Sequence, residues 1–286
     1  MLILESPWTR QPQVAVGADA GNPLTRGLVV LATPIQCLFL GSYRQTTLVD
    51  AGVYVESFGK SGGGKSFGVT GINGYAALGT GSELASSLNT SSITVLTVVK
   101  KLATGRGDLV TRWNTGGSGA TGEQFNLLAG LSGSASKPEF FISNGTSASS
   151  SGASAITVPN DTSAVVVGSH STSNCRVYVG GVLGASGIAG NYVMSSTATQ
   201  SLLIGNNVAF SGAHAGFQAL TAIWNRQLTD AEVWRVSQNP WQLFSPQQII
   251  IPTPAATGYT HPTLSAATAL EIGATSFKPS VTYTFA

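Results

Sequence analysis

The chain has 286 residues, long enough for one large domain or two small ones, with 42% hydrophobic residues to build a core. Only 9% of residues are charged and the net charge is +2, with the basic residues scattered, so there is no electrostatic footprint for nucleic acid. Together with 35 glycines and two isolated cysteines, Cys37 and Cys175, this excludes a coiled coil, a helical bundle and a disulfide scaffold.

The first residues, MLILESPW, lack a basic segment followed by a long apolar one, so no signal peptide is expected, and residues 1–20 read as an N-terminal arm. The most apolar stretch, LVVLATPIQCLFL at 28–40, is about half the length of a membrane span and contains Pro34 and Gln36, so no membrane insertion is expected. Residues 59–66, GKSGGGKS, satisfy the G-x-x-x-x-G-K-S phosphate-loop pattern. A working phosphate loop opens a helix whose amides hold the phosphates. The following FGVTGINGYAALG is too rich in glycine and β-branched residues for that, so a glycine loop between strands is expected.

From 92 onward, apolar and β-branched runs alternate with Gly, Ser, Thr and Asn: SITVLTVVKK, DLVTRW, FNLLAGL, EFFISNG, SAVVVGSH, CRVYVGGVLGAS, SLLIGN and FQALTAIWNRQL. These are strand signals, and strands without intervening helical periods predict an antiparallel sandwich or barrel. The low charge fits, since serine and threonine fill the alternate faces of such strands where helix surfaces would carry lysine and glutamate. Gly180 and Gly181 between two apolar runs predict a tight hairpin.

One helix stands out. Thr229-Asp230-Ala231-Glu232 is a capping box, Leu228 can staple onto Val233, and Asn239-Pro240 stops the helix. It is expected to pack across a sheet edge. Residues 245–262 carry four prolines and no charge and read as an extended linker. Residues 263–286 give two alternating runs, a ribbon that needs a partner.

Candidate chemistry is sparse. The twelve acidic residues are spread singly, and nothing in the spacing of Glu123, Glu139 and Asp161 pairs two carboxylates across a glycosidic bond. His170, His214 and His261 have no metal-ligand spacing, and no G-x-S-x-G elbow is present. Asp108, Asn160 and Asp161 lie near strand ends where calcium could bind, but without a recognisable ligand set, and single aspartates in loops usually form turns. No active site, resident metal or cofactor is expected. Trp113, with Asn114 beside it at a strand end, is the candidate sugar-stacking position. Trp224, Trp234 and Trp241 fit the core or the helix packing.

The block SGAHAGFQALTAIWNRQLTDAEVWRVSQNPWQLF (211–244) resembles the closing segment of laminin-G-like, concanavalin-A-like sandwich domains. Gly216, Phe217, Ile223, Trp224, Asn225, Arg226, Leu228, Thr229 and Glu232 match its last strand and short helix. GYAALGTGSEL, SITVLTVVKK, NCRVYVGGVLGAS and LLIGN are similar to earlier strands, so the resemblance spans about 55–244. NPWQLFSPQQIIIP and the final PTLSAATALEIGATSFKPSVTYTF resemble tailed-bacteriophage and prophage structural proteins.

The resulting expectation is an all-β, antiparallel jelly-roll-type sandwich over 21–244, with one short capped helix near its C-terminal end and extended terminal arms. The resemblance implies a non-enzymatic virion structural protein, made in the bacterial cytoplasm. It would dock on other virion proteins and copies of itself through Ile249, Ile250 and Ile251 and the stripe Val281, Tyr283 and Phe285. The alternative is a carbohydrate-binding adsorption module that meets host surface glycan through Trp113 and Asn114.

Overall fold

The computed structural model describes residues 2–6, 10–39, 42–44, 47–49, 51–57, 63–69, 74–79, 87–103, 107–113, 123–130, 136–187, 194–195, 200–207 and 213–251. In chain order the strands are β1 (Leu2–Ser6), β2 (Leu28–Thr33), β3 (Gln36–Phe39), β4 (Ser42–Arg44), β5 (Thr47–Val49), β6 (Ala51–Ser57), β7 (Gly63–Val69), β8 (Tyr75–Gly79), β9 (Ile93–Lys101) and β10 (Gly107–Arg112). They continue with β11 (Phe125–Gly130), β12 (Glu139–Ser143), β13 (Ala148–Ser150), β14 (Ser163–Ser171), β15 (Asn174–Val179), β16 (Val182–Gly187), β17 (Leu202–Ile204), β18 (Gly216–Trp224) and β19 (Gln247–Ile251). Helix α1 (Asp230–Gln238) follows β18.

Residues Glu5–Gln247 form one compact unit, and Met1–Leu4 with Gln248–Ala286 form another. The first unit is the expected antiparallel sandwich. Its smaller sheet runs β13-β12-β11-β10-β17-β8-β5, and its larger sheet runs β16-β15-β14-β9-β18-β2-β3-β4, with β7 added to β18 and β6 to β7. Val95, Val99, Val166 and Ile223 of the larger sheet meet Leu109, Phe125, Leu127, Phe140 and Ile204 of the smaller one in the core between them. The two sheets approach closely at Gly168, where Phe140 lies so near that a methyl group at Gly168 would fall 2.3 Å from the ring.

The other face of the larger sheet is not solvated. Leu31, Leu96, Val98, Val165, Val167, Ala222 and Trp224 share a second core with Leu24, Leu228, Val233, Val236, Trp241, Leu243 and Phe244. The expectation of a polar alternate face is therefore corrected for the central strands: β9 and β18 are buried on both sides, as the continuous run ITVLTVV now explains. The cover comes from α1, the 3-10 turn Pro240–Leu243 and the N-terminal segment, so the helix packs on a sheet face and not across an edge.

The N-terminal segment is correspondingly less of an arm than its sequence suggests. Gln11 is buried and its side-chain amide donates to Lys65 O and Ala219 O. Asp19 N donates to Leu243 O and Ser245 N to Gly17 O. Beyond these contacts, β1 and β19 pair with each other in a separate two-stranded sheet, so the proline-rich segment opens as a strand and not as an unpaired linker.

Local chemistry explains several elements. Gly180 and Gly181 both have positive φ, 61° and 86°, and pair Val179 with Val182 across the predicted two-residue hairpin. The capping box forms in full, with Thr229 N donating to Glu232 Oε2 at 2.8 Å and Glu232 N to Thr229 Oγ1. Leu228 and Val233 are both buried, as the staple requires. The closing motif also acquires a physical meaning. The Trp224 indole donates to Leu24 O at 2.6 Å, Asn225 N donates to Gly27 O, and Arg226 donates to both carboxylate oxygens of Glu232 at 3.0 and 2.8 Å. The strand is thereby locked both to the N-terminal segment and to the helix that covers it.

Candidate functional site

The outer face of the smaller sheet gathers the polar and aromatic groups of greatest interest. Phe125, Leu127 and Ala129 on β11 and Phe140 and Ile142 on β12 point into the core. Strand alternation therefore sends Asn126, Leu128, Glu139 and Phe141 to the opposite face. The register aligns Thr111, Asn126, Phe141 and Ser150 in one row across β10, β11, β12 and β13. Asp108, Leu128 and Glu139 form a second row.

Trp113 leaves the end of β10 and packs edge-on against Phe141, with ring centroids 6.4 Å apart and planes at 64°. It is only 1% exposed, so it does not present a ring face to a ligand. The sugar-stacking expectation for Trp113 is thus corrected; the half-buried aromatic of this face is Phe141. Asn114 lies outside the described residues. Trp234, expected to pack, is instead 56% exposed, while Trp224 and Trp241 are buried as expected.

Three buried polar atoms around Phe141 have no hydrogen-bond partner among the described residues: Thr111 Oγ1, Asn126 Oδ1 and Trp113 Nε1. An unpaired buried donor or acceptor costs roughly 1–3 kcal/mol. A hydroxyl, a carbonyl and an indole N–H together are the complement of a hydroxylated ligand or of an ordered water. Register rows were not visible in the sequence, which is why Thr111, Asn126 and Phe141 were missed there.

The carboxylates of this face already have partners. Asp108 accepts from Asn126 Nδ2 at 2.8 Å and from Asn207 Nδ2 at 2.6 Å. Glu139 accepts from Ser150 Oγ at 2.7 Å; burial pushes its pKa up, and the Ser150 bond pulls it partly back. Leu128 occupies the row between the two acids. Among the described residues no three His, Cys, Asp or Glu side chains group as a metal site, so Glu123, Glu139 and Asp161 do not converge as one. Asp161 takes a left-handed turn conformation at φ 57°, and His170 Nδ1 lies 3.0 Å from Asn174 O. His261 lies outside the described residues.

Elsewhere, the phosphate-loop pattern falls on the β6–β7 hairpin, with Ser57 opposite Gly63. Lys65 and Ser66 lie within β7, where a working phosphate loop would have them open a helix, and residues 59–62 of the pattern lie outside the described residues. Cys175 is buried, its thiol donates to Phe140 O, and burial pushes its pKa well up, which makes it an inert core residue.

A laminin-G-type family model of the concanavalin A-like lectin/glucanase superfamily matches residues 70–234, and the chain belongs to that family. No curated protein matches it. Domain 4 of AbnA, an extracellular arabinanase from Geobacillus stearothermophilus solved with arabinotriose, is similar with a TM-score of 0.54 at 15% identity, over 78% of this chain and 100% of that one. The receptor-binding domain of a botulinum neurotoxin C/D mosaic serotype gives a TM-score of 0.53 at 9% identity, over 75% of this chain and 51% of that one. A Trypanosoma rangeli sialidase mutant displaying trans-sialidase activity gives 0.52 at 15% identity, over 77% of this chain but only 34% of the sialidase. At these identities the likeness is one of fold. The class defined is a lectin-like β-sandwich.

Proposed function

We propose that this chain is a non-enzymatic structural protein of a bacteriophage virion, which displays its lectin-like sandwich and docks in the particle through its terminal segments. The observation that supports this reading is the separate two-stranded sheet in which β1, near the start of the chain, pairs with β19, the strand that follows the sandwich. Ile249, Ile250 and Ile251 lie on β19, and an outer edge of a two-stranded sheet is where a neighbouring virion protein or a further copy would add a strand. Val281, Tyr283 and Phe285, the other proposed anchors, lie outside the described residues.

Deleting residues 246–286 should leave a sandwich that folds but no longer enters particles. A truncated protein that incorporates normally would overturn the docking role. Gold-labelled antibodies on purified particles should mark the particle surface, and particles that carry no label would overturn the virion assignment.

A second reading, an adsorption module at the tail tip that binds host surface glycan, is favoured by the unpaired groups of Thr111, Asn126 and Trp113 beside Phe141. The solved relatives include an arabinanase domain in complex with arabinotriose. It predicts saturable glycan binding that Asn126→Ala and Phe141→Ala each weaken at least tenfold without loss of folding. Equal binding by both variants would overturn it.

A further inference from the structure

The last residue of β9 is Lys101. Its backbone is tied on two sides: Asp161 N donates to Lys101 O at 2.7 Å, and Gly216 of β18 lies directly opposite it. The side chain is 1% exposed, and its ammonium donates to Ser136 Oγ at 2.6 Å. Among the described residues Lys101 makes no ion pair, which is unusual for an ammonium so buried.

Ser136 is unusual in its own right. It takes a left-handed backbone conformation at φ 70°, one of only two such non-glycine residues among those described. Its carbonyl is held by Val158 N at 2.7 Å, and its side chain is only half-buried. Strained conformations of this kind concentrate where a side chain is held for chemistry. The neighbouring titratable group is His214, which is fully buried with its Nε2 unpaired among the described residues and lying against Gly216.

We infer that Ser136 is a nucleophile activated by Lys101, able to take the acyl group of a carboxylic ester. The distance and pairing are those of a serine–lysine dyad, in which the amine replaces the histidine base. In the step, the Ser136 Oγ–acyl carbon bond forms as the ester's alkoxide leaves. The Oγ proton passes to Lys101 Nζ and from there to the departing oxygen, which leaves as the alcohol. Water attacking the acyl-serine, with Lys101 again taking the proton, returns free Ser136 and the carboxylic acid. The amine must be neutral to start, and two features favour that. Burial lowers the Lys101 pKa, and no carboxylate among the described residues pairs with it. His214, held down to about 3 chiefly by burial, adds no second charge. The ester chemistry goes beyond the docking and glycan readings: it would set aside only the non-enzymatic part of the first, and docking or glycan binding can fail or hold without it.

The test is a fluorophosphonate probe on the full chain, read by intact mass and peptide mapping. Oγ–phosphorus bond formation with loss of fluoride should give one adduct, at Ser136 in preference to every other serine, and none in Ser136→Ala. Lys101→Met and Lys101→Arg should each slow labelling at least tenfold, since neither supplies a base, whereas a purely structural lysine would leave any labelling rate unchanged. Absence of an adduct, modification spread over other serines, or a Lys101 variant that folds and labels at the wild-type rate would overturn the assignment. Because Ser136 is half-buried at the surface, Ser136→Ala should keep the fold and preserves the comparison even if both Lys101 variants unfold.

Discussion

The contact between Gly168 and Phe140 allows a sharp test of how the two sheets are spaced. Gly168 lies on β14 between Val95 of β9 and Val177 of β15, so its Cα cannot shift without moving three strands. An added methyl at 2.3 Å from Phe140 Cδ2 and 2.4 Å from Cγ is more than 1 Å inside carbon–carbon contact. Phe140 is itself fully buried, with Phe125 6.4 Å away, and has no vacant space to retreat into. Overpacking of this kind costs about 1–3 kcal/mol, so Gly168→Ala should lie in the upper half of that range. Phe140→Leu alone should also destabilise, by leaving a void. The double variant should then cost at least 1 kcal/mol less than the sum, because the smaller ring position accepts the methyl. Urea denaturation followed by tryptophan fluorescence measures all three. Additive costs, or a Gly168→Ala protein as stable as the parent, would refute the spacing argument.

Three further outcomes are expected. His214 has its pKa held down to about 3 against 6.5 for a free imidazole, so the unfolded chain binds the extra proton in that window and stability should fall as pH drops from 6.5 towards 3. His214→Gln should flatten that decline by about one proton, and an unchanged slope in melts between pH 6.5 and 4 would count against it. Trp113→Ala should cost about 3–5 kcal/mol as a core truncation, while Trp113→Phe, which also removes an unpaired N–H, should cost under about 1.5 kcal/mol in chemical denaturation. Glu232 is held down to about 2, first by its hydrogen bonds from Arg226. Its contribution should be complete above pH 4.5 and vanish as pH falls through 2; after allowance for solvent screening, Glu232→Gln at pH 7 should cost about 1 kcal/mol by urea melts.

What was legible in the sequence was mostly local. The capping box, the Gly180-Gly181 hairpin and the strand runs each depend on residues within a few positions of one another, and all formed as read. The family resemblance reached the fold because Trp224, Arg226 and Glu232 make mutually dependent contacts. What failed was non-local. Nothing near ITVLTVV announces that Leu24 and Phe244 cover its second face. Trp113 read as a sugar-stacking candidate because Phe141, which it packs on, stands 28 positions later on another strand. Trp234 was a missed inference of a different sort. Val233, Val236 and Ser237 mark the buried stripe of α1 at i, i+3 and i+4, and that spacing already leaves Trp234 off it. The candidate site depended wholly on cross-strand register, for which a sequence without pairing information offers no signal.

The order of the larger sheet carries a consequence for biosynthesis. β18 sits in its middle, between β9 on one side and β2 and β7 on the other, yet it is the last strand of the sandwich to leave the ribosome. Until β18 emerges, the larger sheet can assemble only as three pieces, β16-β15-β14-β9, β2-β3-β4 and β6-β7, each with an open edge of unpaired amides and carbonyls. The late strand acts as a zipper slider, and its arrival also delivers Leu228, Val233 and Trp241 to close the outer core. A nascent or prematurely terminated chain should therefore be aggregation-prone at every length short of the full sandwich, and folding should be slow for a protein of this size.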